Sequence, residues 1–190
     1  MILVTGDLHC PIDISKLNSK NFDSSALTKD DYLIVCGDAG LVWHGRDKED
    51  AYWQKWLEAK PWTTLFVDGN HENHDKLDSY PVSNWHGGKV HFLKPSVIHL
   101  MRGNVYDIDG LSFFTMGGAM SQDKYLRKEG KSWWARDMPS PEEYEIALSN
   151  LKKHKFDVDY IITHCAPSIE ACNLIRYVQS DELMQFFNNI

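Results

Sequence analysis

Cysteine is scarce in this chain: four residues in 190, at positions 10, 36, 165 and 172, none of them in a C-x-x-C pair. That spacing excludes a zinc knuckle and a dithiol redox motif and reads as reduced thiols. Long apolar runs are missing too, and none approaches the roughly 18–20 residues of a membrane span. Met1 leads straight into Ile2-Leu3-Val4, with no basic n-region ahead of a cleavable apolar segment. Together these absences predict a cytoplasmic protein without a membrane partner. Basic charge is short as well: 20 Lys+Arg stand against 27 Asp+Glu, for a formal net charge of −7. A dedicated duplex nucleic-acid binder needs a basic face to neutralise phosphates, so that class is excluded. An enzyme that meets phosphate through bound metal is not.

Repeats, low-complexity tracts and linkers are also absent, and the length suits one domain, so residues 1–190 read as a single domain. What the chain does have is material for a core. Hydrophobic residues make up 43%, with 7 Trp, 8 Tyr and 8 Phe, which rules out a disordered tail. Short apolar runs end abruptly in polar clusters. Ile2-Leu3-Val4 stops at Thr5-Gly6-Asp7, Tyr32 to Cys36 at Gly37-Asp38, Thr64 to Val67 at Asp68-Gly69-Asn70-His71, and Tyr160-Ile161-Ile162 at Thr163-His164. Their β-branched content and Gly stops predict buried strands. Helices are predicted over 48–60, with Tyr52, Trp53, Trp56 and Leu57 at helical spacing and Pro61 as a stop, and from Ser140-Pro141 through Leu151. A further helix is predicted over 180–187. In the middle, 89–93, 97–102, 104–108 and 111–116 read as strands of a second, antiparallel sheet, with Asp109-Gly110 as a hairpin turn. The class is α/β.

The chemistry lies at the strand ends. In a parallel α/β sheet the carboxyl ends of strands share one edge, where ligands bind. Asp7, His9, Asp38, Asn70, His71 and His164 are therefore expected to converge. Carboxylates, an amide oxygen and imidazoles suit Zn²⁺, Mn²⁺ or Fe²⁺ better than Ca²⁺ or Mg²⁺. Gly37 and Gly69 would allow the sharp turns that present the next residue.

The ordered set D-x-H, G-D, G-N-H-E and a lone His after a strand resembles the calcineurin-like metallophosphoesterase superfamily, from Asp7 to His164. The resemblance implies two facing mixed β-sheets flanked by helices, a four-layer sandwich. It implies two divalent transition metals (Mn²⁺, Fe²⁺ or Zn²⁺): Asp7 and His9 would hold one, Asn70 and His164 the other, and Asp38 would bridge them. It further implies a metal-bridging hydroxide as nucleophile. His71 matches the family's non-ligand catalytic histidine, which protonates or polarises the leaving oxygen; the alternative is a structural histidine beside the site. The implied activity is hydrolysis of phosphate mono- or diesters in a phosphorylated small molecule, a phosphoprotein or a phosphodiester.

Departures from the pattern matter. Phosphoprotein phosphatases of the superfamily show G-D-x-V-D-R-G, whereas Gly37-Asp38 is followed by Ala39-Gly40-Leu41-Val42-Trp43, which disfavours that subgroup. The family's closing G-H-x-H is missing: Cys165-Ala166-Pro167 follows His164, and no histidine occurs up to Ile190. The expectation is a domain incomplete at its C-terminus, with one cation or both held weakly and self-association through an open apolar side carrying Leu183, Met184, Phe186 and Phe187. The competing class is a noncatalytic binding or scaffold protein with incomplete metal sites.

Other residues divide between roles. Lys124 and Arg127, after the loop 116–123, could pair with a substrate phosphate or form a solvated face. His71-Glu72-Asn73-His74 is not the H-E-x-x-H of zinc peptidases. His44, His86, His91, His99 and His154 read as ordinary surface or edge histidines. Cys10 and Cys165 read as bystander thiols beside presumed ligands, with supplementary thiolates as the alternative, and Trp53 and Trp56 as core packing.

Overall fold

A computed structural model of the protein describes residues 1–43, 45–166 and 182–187. His44, Cys172, the start of the helix predicted over 180–187 and the side chains of Met184 and Phe187 lie outside the described residues.

Each apolar run becomes a strand. β1 (Ile2–Thr5), β2 (Tyr32–Cys36) and β3 (Thr63–Val67) lie side by side and parallel. The helix α1 (Asp47–Glu58) connects β2 to β3 and ends before Pro61. After the single turn α2 (His74–Leu77) come β4 (Val82–Trp85), β5 (Gly88–Lys94) and β6 (Val97–Leu100). A second sheet holds β7 (Asn104–Ile108), β8 (Leu111–Met116) and, beyond the helix α3 (Pro141–Lys153), β9 (Tyr160–Thr163). The short helix α4 covers Glu182–Phe187. Strand order is β1-β2-β3-β6-β5-β4 in one sheet and β7-β8-β9 in the other.

Three hydrophobic clusters mark the interfaces of a four-layer sandwich. Alternation along each strand sends neighbouring residues to opposite faces. Leu33 and Val35 of β2 and Phe66 of β3 join Leu57 of α1 and Trp62 on the outer face of the first sheet. Ile34, Leu65 and Val67 point inward and meet Tyr106, Ile108, Phe113 and Ile162 of the second sheet. Val105, Phe114 and Met116 point outward and meet Ala147 and Leu151 of α3 and Leu183 of α4. The helix α3 starts as its sequence dictates, with Pro141 in the first turn and a capping box between Ser140 and Glu143.

Two expectations are corrected. The runs around 89–93 and 97–102 do not join 104–108 and 111–116 in one antiparallel sheet. Instead β6 pairs parallel with β3, and β5 pairs antiparallel with β6, so both extend the first sheet. The last strand also changes place: β9 pairs parallel with β8, in the second sheet and not beside β1 to β3. The hairpin turn is where it was expected. Ile108 faces Leu111, and Asp109 and Gly110 have φ of 54° and 77°, the left-handed pair that a two-residue type I′ turn requires. Of the apolar face foreseen on α1, Leu57 is buried, Trp53 and Trp56 pack at its margin, and Tyr52 is exposed.

Candidate metal centre

The carboxyl ends of β1, β2 and β3 deliver Asp7, Asp38 and the segment 68–72 to one edge of the first sheet. β9, although in the facing sheet, brings His164 to the same place. His164 Nδ1 lies 2.8 Å from the carbonyl oxygen of Cys36, the last residue of β2. That bond fixes the tautomer, with the proton on Nδ1, and leaves Nε2 to act as a ligand. The glycines supply room. A Cβ at Gly37 would sit 2.4 Å from the His164 ring, and one at Gly69 would sit 2.0 Å from Asp38 Oδ1.

Asp38 stands at the centre. Its φ of 48°, like the 39° of His9, is left-handed and unfavourable without glycine. Its surroundings hold that conformation. The carbonyl of Asp38 accepts from the amides of Leu8 (3.2 Å) and His9 (2.8 Å), and its Oδ1 accepts from the amide of His71 (2.8 Å). Oδ2 is left facing two imidazoles, 3.5 Å from His9 Nε2 and 3.5 Å from His164 Nε2. Asp7 Oδ2 lies 3.5 Å from His9 Nε2, and Asp7 Oδ1 lies 3.7 Å from His164 Nδ1. These separations exceed N–H···O hydrogen bonds, which end near ~3.2 Å. The three 3.5 Å separations, all to imidazole Nε2 atoms, match the ~3.4 Å span of two ligand atoms that share a cation at ~2.1 Å.

The residues therefore fit divalent metal. His9, Asp38 and His71 offer ligand atoms within 4.8 Å of one another. Asn70 Nδ2 lies 3.2 Å from Ser121 Oγ. The backbone amide of His71, expected as a non-ligand, bonds Asp38 Oδ1, and its ring meets His9 edge-on at 5.2 Å. Trp43 lies nearly parallel to the His71 ring, 6.0 Å away, and Trp134 meets Trp43 edge-on at 5.7 Å.

A family model, calcineurin-like phosphoesterase, matches residues 1–190. The chain belongs to that family. No curated protein and no solved structure matches it. Membership in the calcineurin-like phosphoesterases supports a metal-dependent hydrolase of phosphoric esters, and it agrees with the four-layer sandwich and the donor set above. Among the described residues no helix is long and apolar enough to cross a membrane.

Within this family site, the glutamate of Gly69-Asn70-His71-Glu72 has a role the motif does not reveal. Glu72 is fully buried, and its Oε1 accepts from the amides of Ala39 (2.8 Å) and Gly40 (3.4 Å). Burial first, and then the charge of Asp38, push its carboxyl well above the usual range. Glu72 thus clamps the turn after Asp38, and burial favours its neutral form. Burial also lowers the His71 imidazole, against the pull of Asp38, and favours its neutral form. Cys10 is buried, and burial pushes its thiol up to about 12. Arg127 bonds Asp123 (2.8 Å) and the carbonyl of Ser132 (3.1 Å), and its charge is felt at His71. Lys124 Nζ lies 5.8 Å from the Trp133 ring centre.

Behind the metal edge sits a second cluster that sequence reasoning missed. His91 and His99 are not surface or edge histidines: both are buried on interior strands, β5 and β6, with their Nδ1 atoms 3.2 Å apart. His99 Nε2 lies 3.2 Å from Asp68 Oδ1, and Arg102 pairs with Asp68 through Nε (2.8 Å) and Nη2. Burial would raise the Asp68 carboxyl, but Arg102 and His99 hold it well below the usual range. His74 is buried too, its imidazole depressed to about 3 by desolvation. The only sequence signal was polar residues interrupting apolar strands. His86 and His154 are exposed, as expected.

Proposed function

We propose that the chain hydrolyses phosphate mono- or diesters at a dinuclear metal centre held by Asp7, His9, Asp38, Asn70 and His164. The observation that carries this reading is the position of Asp38 Oδ2, 3.5 Å from an imidazole on either side. A carboxylate oxygen so placed can serve two cations at once. When bound, Mn²⁺, Fe²⁺ or Zn²⁺ would supply Lewis acidity to the phosphoryl oxygens and make water a nucleophile near neutral pH.

The protein's own groups do the rest. Glu72 and the amides it accepts from keep Asp38 in its left-handed turn. The Cys36 carbonyl holds His164 with Nε2 toward Asp38. His71, partly buried beside Asp38, would hold or deliver a proton at the leaving oxygen, and Arg127 would pair with a non-bridging phosphate oxygen. The class of substrate is a phosphorylated small molecule or a phosphodiester; the missing Asp and Arg after Gly37-Asp38 make a phosphoprotein the less favoured member.

The test is turnover of p-nitrophenyl phosphate and bis-p-nitrophenyl phosphate with Mn²⁺ added to metal-stripped protein. Hydrolysis that requires Mn²⁺ and disappears in Asp38→Asn is the expected result. Absence of turnover with every divalent cation tried, in a folded protein, would overturn the proposal and leave a noncatalytic binding protein.

A further inference from the structure

Asn70 joins the rest of the protein through a two-step chain. Its Nδ2 lies 3.2 Å from Ser121 Oγ, and Ser121 Oγ lies 2.6 Å from Asp137 Oδ2. The polarity of this chain follows from the groups in it. An amide nitrogen can only donate, so the Ser121 oxygen accepts from Asn70. The single hydroxyl proton of Ser121 then goes to Asp137, which accepts as a carboxylate. Read in that direction, the chain turns Oδ1 of Asn70 away from Ser121. Oδ1 is the atom of that side chain with lone pairs to offer a cation. A reversed amide would put Oδ1 on Ser121 and present an NH₂ group, which no cation binds.

Burial makes the arrangement hard to exchange for water. Ser121 and Asp137 are 3% and 1% exposed, and buried polar groups rarely give up their partners. The backbone that carries them is tied down on both sides: the amide of Gly118 bonds the carbonyl of Asp68 (2.8 Å), and that of Ala119 bonds the carbonyl of Asp137 (3.0 Å).

We propose that Ser121 and Asp137 are positioning residues that fix which end of the Asn70 amide faces a divalent cation. This rests on Asn70 being a metal ligand, as proposed above, and the experiment separates the two. Mn²⁺ is titrated into metal-free protein and followed by calorimetry, with the melting temperature of the metal-free form alongside. Measurements are made at pH 8, above the value of about 6 to which burial raises Asp137. Ser121→Ala is expected to weaken Mn²⁺ binding by about tenfold to a hundredfold, the usual effect of deleting a group that orients a ligand, while the metal-free melting temperature shifts little. Ser121→Thr keeps the hydroxyl and restores most of the affinity. Asp137→Asn is nearly isosteric but can donate to Ser121 and invert the chain, so it weakens Mn²⁺ as Ser121→Ala does; a merely structural role would tolerate it. Should Ser121→Ala fail to fold, Asp137→Asn decides alone. Loss of affinity in Asn70→Ala with native affinity in Ser121→Ala and Asp137→Asn overturns the positioning role. Native affinity in Asn70→Ala overturns the ligand reading beneath it.

Discussion

Asp68 and Asn70 are two residues apart after β3, yet they serve neighbouring clusters with opposite charge balance. Both clusters combine carboxylates with imidazoles. At the metal edge, among the described residues, Asp7 and Asp38 pair with no Lys or Arg and stand 3.5–3.7 Å from His9 and His164. In the cluster behind it, Asp68 is fully buried, bonded at 2.8 Å by Arg102 and at 3.2 Å by His99. One cluster contains its own cation, Arg102, bonded to the buried Asp68 carboxylate; the other has carboxylates with no Lys or Arg partner among the described residues, 3.5 Å from imidazole nitrogens. Residue type alone therefore does not separate the two clusters; the internal guanidinium of Arg102 does.

The sharpest way to break this comparison is to make the same change on both sides. Asp38→Asn removes the carboxylate proposed as the shared ligand and is expected to cut Mn²⁺-dependent turnover by about a thousandfold or more, because bound cations supply several kcal/mol of transition-state stabilisation. The fold should survive, as read by circular dichroism and a cooperative melt. Asp68→Asn is expected to do the reverse. It takes from buried Arg102 its closest counter-charge and leaves it only Glu143, a loss of up to about 3–5 kcal/mol, or at most roughly 6–20 °C in melting temperature for a domain of this size. Mn²⁺ should still raise the melting temperature of whatever remains folded. If the two substitutions gave the same phenotype, the division between metal edge and structural cluster would fail.

Adding and removing metal gives the next largest effect. Mn²⁺ at a hundredfold excess over its dissociation constant should stabilise the native state by about 2.7 kcal/mol. Excess EDTA should reverse the gain, and Asp38→Asn should abolish it. The metal-stripped protein should keep its secondary structure, since the sheets and helices are held by three hydrophobic clusters.

Legibility followed the same divide. The candidate metal edge could be read because each proposed ligand follows an apolar run that glycine or a polar cluster cuts short, and three of those runs, β1 to β3, lie side by side in sequence order. Sheet membership could not be read. Tyr160 to Thr163 has the same composition whether it pairs with β1 or with β8, and the break at Pro95 between β5 and β6 looks the same within one antiparallel sheet or at the boundary between two. His91 and His99 could not be placed because Asp68, which pairs with His99 and through it with His91, lies just past β3, more than twenty residues away. Glu72 was visible as part of a motif, but its clamp on Ala39 and Gly40 depends on a turn across the sheet edge. Local signals carried the site; long-range pairing carried what supports it.

A pH experiment sharpens the contrast inside the structural cluster. Burial depresses His74 from 6.5 to about 3. A base whose native value is depressed contributes stability that is fully present above its unfolded value and is lost as pH falls toward its native one. Replacing His74 by Asn removes that titration. The stability of the native protein relative to His74→Asn should therefore rise with pH between about 3 and 6.5 and be flat above. Urea melts at closely spaced pH values measure it, and a flat difference across the window would refute the buried neutral state of His74.

Glu72 gives the smallest effect and the opposite sign. Its native value is raised well above 4.5, so the native state keeps a proton that the unfolded chain gives up as pH rises. Rising pH above about 4.5 thus costs the native protein stability that Glu72→Gln does not lose. At low pH the two should differ by less than about 1 kcal/mol, because the Gln carbonyl can replace Oε1 as acceptor for the Ala39 and Gly40 amides. Toward neutral pH, Glu72→Gln should become the relatively more stable of the pair. Glu72→Ala provides the reference: it leaves both amides without an acceptor and should cost about 1–3 kcal/mol at every pH. A Glu72→Gln variant that grew less stable than the native protein as pH rose would mean that Glu72 is ionised in the folded state, and the acid clamping the turn after Asp38 would instead be a carboxylate belonging to the metal edge.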